Sequence, residues 1–323
     1  MQIWYISDGK AGHRVQMLGL VSALQRQSQH PDLDQSKSHP VVLHEIPQQQ
    51  LSSLGLWLYW LTGGRVGQLP TAIQALPAPT LIAGVGHRTH WKVFLLKKIL
   101  QAHHPLLKSL ILMQPSLPLN WFDYLIIPQH DQPPVQPHIL VTQGVLNPLV
   151  NAHQHLPKHG LILIGGPSKR HGWSTLQVLE QIQNILAQNL EFEIILTTSR
   201  RTPADFLQQP FFEHLPPQVS LFPVEQTPNG WLFAQLQQAS QVWVSEDSVS
   251  MLYEALTAGC QVTIMPVPRL RQDRITEGVD ALLKQGDVQV LGKKHIAPPP
   301  KIALNEAERA AQWLISQLPA RQR

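Results

Sequence analysis

Apolar and polar positions along the chain follow two periods. Short, wholly apolar runs bounded by Gly, Pro or Asp read as buried strands. Longer stretches with apolar residues three and four apart read as amphipathic helices. Strands are predicted at 2–7, 41–46, 79–84, 108–113, 123–127 and 138–142, then at 161–165, 191–198, 218–223, 241–245 and 261–266. Helical spacing marks 14–26, 89–102, 174–188, 230–239, 248–258 and 273–285. The alternation of strands with helices predicts an α/β fold with parallel sheets. One pattern occurs twice: IWYIS leads through DGKAGH into RVQMLGLVSAL, and LILIGG leads through PSKRHGW into STLQVLEQIQNIL. A buried strand, a glycine turn and a helix start together form an anion site, because backbone N–H groups approach a ligand closely and the helix N-terminus adds unpaired donors. Two copies predict two Rossmann-like domains with a central cleft.

The polar segment 27–40 reads as a loop, and 143–159, with Pro148 and Pro157, as the interdomain linker. Prolines 298–300 form a second break before LNEAERAAQWLISQL, a terminal amphipathic helix able to pack back. The expected division is 1–150, 151–300 and a C-terminal helix in 301–323 that packs on the first domain. Ser174 with Gln177 reads as a capping box. Two stretches, LSSLGLWLYWL at 51–61 and WKVFLLKKIL at 91–100, are unusually apolar. The simpler reading of each is a core helix with its lysines in solvent; the other is a membrane-facing surface.

Composition narrows the class. The 323 residues suit two domains, and 43% hydrophobic residues suffice for real cores. No apolar run reaches the ~18–20 residues of a membrane span, and Ile3 to Ser7 reads as a first strand, not as part of a secretory signal. The single cysteine, Cys260, leaves no disulfide framework and no cysteine zinc cluster. A cytoplasmic protein is expected, with peripheral contact at the inner face of the cytoplasmic membrane. Net charge is +4 with a pI near 9.2, which suits an anionic small molecule or an anionic membrane face. No basic run or motif points to nucleic acid.

Four loops at predicted strand ends concentrate chemistry. Ser7-Asp8-Gly9-Lys10-Ala11-Gly12-His13 lacks both dinucleotide and P-loop spacing. Asp8 or His13 would serve as general base, and Lys10 would attract anions. Gly165-Gly166-Pro167-Ser168-Lys169-Arg170-His171 combines glycines with cations, a phosphate or pyrophosphate site. Thr198, Ser199 and Arg200 follow another strand. Asp247 and Ser248 stand at a helix start where phosphate oxygens are favoured. Ser250 and Glu254 are one helical turn apart, so a carboxylate sits where it can accept both hydroxyls of a ribose. Arg88, Gln114, His130 and Asp131 close further strands and line the expected cleft with Gly9, Lys10 and Gly12. No paired-histidine metal spacing occurs, so no metal and no other cofactor is expected.

Together SDGKAGHRVQMLGL, GVGHR, Gln114, PQHD, GGPSKRHGW, TTSRR and SEDSVSMLYEALTAG resemble the bacterial branch of the mitochondrial-fission Elm-type family, in the same order from residue 1 to about 285. The resemblance implies a glycosyltransferase-B fold and a sugar-transferring activity. The glycosyltransferase that adds N-acetylglucosamine to the lipid-linked cell-wall precursor is a more distant likeness. Gly12-His13, Gly165-Gly166 with Ser168, and Glu254 look like counterparts of its Gly-Gly-His loop, its Gly-Gly-Ser loop and its ribose-holding glutamate. Lys10-Ala11 and Pro167 depart from that pattern. The resemblance implies a metal-independent, nucleotide-sugar-dependent glycosyltransferase acting on an envelope glycan or lipid-linked acceptor. The second domain would hold the donor and the first the acceptor. The alternatives are a nucleotide-sugar epimerase or hydrolase, and a non-catalytic membrane-associated scaffold. Neither glycine loop has the spacing of a dinucleotide oxidoreductase.

Overall fold

A computed structural model describes residues 1–29, 40–66, 68–293 and 304–318. It divides the chain into two compact units, Met1–Pro148 with Asn305–Arg323, and Leu149–Leu304. Prolines 298–300 and most of the predicted loop 27–40 lie outside the described residues.

Unit 1 is a six-stranded parallel sheet. Its strands are β1 (Gln2–Ser7), β2 (Val42–Pro47), β3 (Leu81–Val85), β4 (Lys108–Leu112), β5 (Tyr124–Pro128) and β6 (Ile139–Thr142), in the order β2-β1-β3-β4-β5-β6. The helices α1 (Ala11–Ser28), α2 (Ser53–Leu61), α3 (Thr71–Gln74) and α4 (His90–Leu100) connect them. Alternate residues of β1 serve two cores. Ile3 and Tyr5 face one layer, with Met17, Leu20 and Leu24 of α1, while Trp4 and Ile6 face the other, with Leu56, Val93 and Leu96. That is the period of two expected of a strand covered on both faces.

Unit 2 contains β7 (Leu156–Leu163), α5 (Thr175–Gln188), β8 (Glu193–Thr197), β9 (Val219–Phe222), α6 (Trp231–Gln238), β10 (Ala239–Ser245), α7 (Val249–Ala258), β11 (Gln261–Met265), α8 (Arg274–Gln285) and β12 (Gln289–Val290). Its parallel order is β12-β11-β10-β7-β8-β9, which numbered within the unit is the doubly wound order 3-2-1-4-5-6 read from the other edge. The last helix, α9 (Glu306–Gln317), belongs to unit 1. It buries Ala307, Ala310, Ala311 and Leu314, spaced as one helical face, against α1. Arg26 and Gln27 of α1 hold Glu308, and the Tyr124 hydroxyl donates to Gln317 O at 2.7 Å.

Local readings and structure differ at several places. β7 begins at Leu156, inside the predicted linker. Its first residues, Leu156, Pro157 and Lys158, are exposed, and Pro157 and Lys158 interrupt any apolar run, so hydrophobicity does not mark them as strand. β10 begins at Ala239, where helix was expected. The two-residue β12 is too short for a pattern. At α5 only half of the capping box forms: Ser174 accepts the Gln177 N–H, but the Gln177 side chain donates to Pro266 O. The complete box stands at α8, between Asp273 and Thr276. Finally, α2 is not a core helix. It buries Leu56 but leaves Leu54, Trp57, Leu58, Trp60 and Leu61 exposed. Among the described residues no helix is long and apolar enough to cross a membrane.

Candidate functional site

Because the strands of each sheet run parallel, all their C-terminal ends lie on one edge. In an open sheet the crevice opens where neighbouring strands lead their connections to opposite sides. In unit 1 that point is β1/β3, and in unit 2 it is β7/β10. The loops singled out by sequence stand at these two points.

At β1/β3, Asp8 directly follows the strand and His13 lies in the first turn of α1. Asp8 Oδ1 and Oδ2 lie 3.1 and 3.0 Å from His13 Nδ1. The Asp8 side chain is 1% exposed and that of His13 16%. A buried carboxylate accepting Nδ1–H selects the tautomer whose Nε2 carries the lone pair, and Nε2 has no partner among the described residues. Asp8 and His13, the two candidates for a general base, are thus paired with each other, and the His13 Nε2 is the nitrogen left open. Gly86, at the end of β3, has φ +85, and a Cβ there would lie 2.4 Å from His13 Cε1. Only glycine permits that approach. Gly9 has φ +80 and Gly12 faces open space. Lys10 is exposed, its Nζ 3.9 Å from Asp8 Oδ2.

Further along the same edge, Gln114 donates its N–H to Asp131 Oδ2 at 3.2 Å, and Asp131 Oδ1 lies 3.5 Å from His130 Nε2. Gln114 Oε1 is buried without a hydrogen-bond partner. The turn that delivers Gln114 is made by Met113 at φ 72, a left-handed conformation rare for a methionine. Such strain persists where the surroundings impose a geometry. Sequence reading missed Met113, and nothing local signals it. It also missed His90, wholly buried at the start of α4. The Ser116 N–H donates to its Nδ1 at 3.1 Å. Burial, then repulsion from His87 and His13, holds the His90 pKa down to about 4, so it stays neutral. Arg88 is exposed beside this edge.

At β7/β10 the glycine loop is already engaged. The Gly165 N–H donates to Ser245 Oγ at 2.7 Å and the Gly166 N–H to Asp247 Oδ2 at 2.9 Å. Arg201 closes the cluster, 2.7 Å from Asp247 Oδ2, 3.1 Å from Ser248 Oγ and 2.7 Å from Gly166 O. The chain's own carboxylate therefore sits in the amide cradle predicted for phosphate. The glycines are explained by crowding: a Cβ on Gly165 would lie 2.1 Å from Asp247 Oδ2, and one on Gly166 2.1 Å from Arg201 O. We expect Gly165→Ala to lower stability by about 2 kcal/mol, since atoms added to a packed site force its walls apart. A thermal melt equal to that of the unsubstituted protein would contradict this packing.

The remaining loop residues separate into two groups. Ser168 Oγ accepts the Arg170 and His171 N–H groups and so staples its own turn. Arg170 pairs with Asp273, the α8 cap, at 2.7 Å. Thr198 Oγ1 accepts the Val224 N–H, and Ser199 Oγ accepts the Arg201 N–H. Lys169, Arg200 and Ser250 are exposed. Arg201, not singled out individually from sequence, reaches the start of α7, 3.1 Å from Ser248 Oγ.

Among the described residues no side chain caps α7, so its first-turn amides stay open beside Ser248. One turn further, Glu254 has no hydrogen-bond or ion-pair partner among the described residues. Burial pushes its pKa up from 4.5 to about 7. A carboxyl group desolvated without compensation, on the helix whose N-terminus favours anions, is a candidate ligand group.

The model for mitochondrial fission ELM1 proteins matches residues 11–318. The chain belongs to the mitochondrial fission ELM1 family. Uncharacterized protein RP120 of Rickettsia prowazekii (strain Madrid E) is 23% identical over 360 residues, covering 97% of each chain. Among solved structures, the glycotransferase of kitacinnamycin superposes with a TM-score of 0.53 at 14% identity, covering 98% of this chain and 99% of that one. A UDP-GlcNAc 2-epimerase of Methanocaldococcus jannaschii gives 0.49 at 12% identity, covering 98% and 100%. The two parallel sheets and the likeness to the kitacinnamycin glycotransferase give this ELM1-family chain an α/β fold of two Rossmann-like units of the glycosyltransferase-B type.

Proposed function

We propose that this ELM1-family protein is a nucleotide-sugar-dependent glycosyltransferase acting on a glycan or lipid-linked acceptor of the cell envelope. The observation that carries the reading is the Asp8–His13 dyad at the switch point of unit 1, with Nδ1 engaged and Nε2 open. His13 Nε2 takes the proton of an acceptor hydroxyl while that oxygen attacks the anomeric carbon of the donor. The bond from that carbon to the diphosphate oxygen breaks, and its electron pair leaves with the nucleoside diphosphate.

Unit 2 holds the donor. Glu254 accepts the ribose hydroxyls, and the open α7 amides, Ser248 and Arg201 face the diphosphate. Fixed dipoles and cations aimed at the leaving group stabilise its growing charge. Asp247 now neutralises Arg201, so donor binding exchanges one anion for another.

The test is calorimetric titration with UDP, GDP, ADP and CMP. Saturable binding of one of them is expected, followed by transfer from its sugar to an acceptor. Free sugar or an epimer formed without acceptor would instead assign a hydrolase or epimerase. Binding of none would remove the donor site.

A further inference from the structure

We propose that the face of unit 1 formed by α2 and α4 docks on an anionic lipid bilayer. The proposal is independent of the reaction above. Leu54, Trp57, Leu58 and Leu61 recur at helical spacing and form one arc of α2. Leu54 is 67% exposed, Leu61 54% and Trp57 46%. The opposite side carries Leu56 and Tyr59 into the core, with Val93 and Leu96 of α4. The arc is therefore turned outward by a helix whose other side is anchored. On α4, Trp91 is exposed as well, and packs edge-on against Phe94 at 6.0 Å and Trp121 at 5.6 Å. Lys98 Nζ stands 5.7 Å over the Phe94 ring.

Charge identifies the partner. Residues 46–122, which include α2 and α4, hold six Lys/Arg and no Asp or Glu, whereas the rest of the chain holds 19 Lys/Arg and 21 Asp/Glu. The positive excess of the whole protein lies in this segment. Lys97 is held by Asp123 at 2.5 Å, but Arg65, Arg88 and Lys98 are exposed. Exposed Trp and Leu beside basic side chains match the two layers of an anionic membrane surface: tryptophan and leucine enter the interface while the cations meet the headgroups. A second copy of this chain fits poorly, because a two-fold interface lays a patch on itself. Here that sets the exposed cations of a segment without acids against one another.

The test is flotation of the full chain with vesicles of phosphatidylglycerol and phosphatidylethanolamine, and with vesicles of phosphatidylcholine alone. Binding to the anionic vesicles at low salt is expected, weakened by high salt. Leu54→Glu with Leu61→Glu should lower it at least about tenfold, since each leucine forgoes its transfer from water. Arg65→Glu with Lys98→Glu should lower it by at least about fivefold. Both double variants change exposed positions, and unaltered circular dichroism and melting would show that they fold. Absence of binding overturns the proposal, as does equal binding to phosphatidylcholine or equal binding by the leucine variant. Sedimentation showing lipid-free self-association that the leucine variant abolishes would assign the face to a second copy instead.

Discussion

His13→Ala is expected to lower the transfer rate by about 10²–10⁴, the range a positioned general base contributes, while leaving nucleotide affinity unchanged. The expectation rests on geometry. Both Asp8 oxygens lie within 3.1 Å of Nδ1, while the Lys10 ammonium stands farther off, 3.9 Å from Oδ2. Asp8→Asn separates orientation from basicity. An asparagine amide donates to Nδ1, moves the imidazole proton to Nε2 and removes the lone pair the acceptor needs. Its loss should approach that of His13→Ala, as when the carboxylate of a catalytic triad is replaced by its amide. Gly86→Ala should reduce the rate without altering either group, because its Cβ would meet the imidazole. Transfer assays with the nucleotide sugar identified by titration decide the matter. Full activity in His13→Ala would assign the base elsewhere, and full activity in Asp8→Asn would remove the orienting role.

Glu254→Ala is expected to weaken nucleotide binding by about 10–100-fold, the worth of hydrogen bonds to a charged group. The perturbed carboxyl group also predicts a pH dependence. In the folded chain Glu254 keeps its proton up to about pH 7, whereas an ordinary carboxyl group loses it near 4.5. Between these values the folded state binds more protons than the unfolded state, so stability falls as pH rises. The cost is absent well below pH 4.5 and complete above 7. Its ceiling is about 3 kcal/mol at 1.36 kcal/mol per unit, lessened where water reaches the group. Glu254→Gln should therefore stabilise the protein in denaturant melts at about pH 8 and leave them unchanged at about pH 4. Nucleotide affinity of the unsubstituted protein should rise through pH 7 as the carboxylate forms, and stay flat in Glu254→Gln. An identical stabilisation at both pH values would show that desolvation of this group is not the cause. Affinity unaltered in Glu254→Ala would place the ribose elsewhere.

The strand, glycine turn and helix pattern was legible at both switch points because it is local. Ile3, Tyr5 and Ile6 are apolar in sequence and buried in the sheet, and Gly165-Gly166 directly follows an apolar run. The partners of those loops were not legible. Gly166 donates to Asp247, 81 residues away, and Arg170 reaches Asp273, 103 residues away. No spacing rule relates such pairs. The left-handed Met113 gives no sign in a run of ordinary apolar residues, and His90 is one histidine among sixteen until its burial is seen. The apolar segment at 51–61 shows the same limit from the other direction. Hydrophobicity marks α2 as a helix with apolar residues on several sides, but whether a side is covered depends on neighbours that the segment does not contain.

The α/β class, most of the strands and helices, and the candidate loops at the strand ends were readable without the fold. Each follows from interactions within a few residues: backbone propensity, the periods of side-chain burial and the special conformations of glycine. The tertiary structure alone shows that Asp8 and His13 pair, that Asp247 occupies the amide cradle, that Glu254 has no partner among the described residues, and that α2 turns its tryptophans outward. These depend on which side chains become neighbours once parallel strands distant in sequence bring their C-terminal ends to one edge, and on how much water each group then keeps.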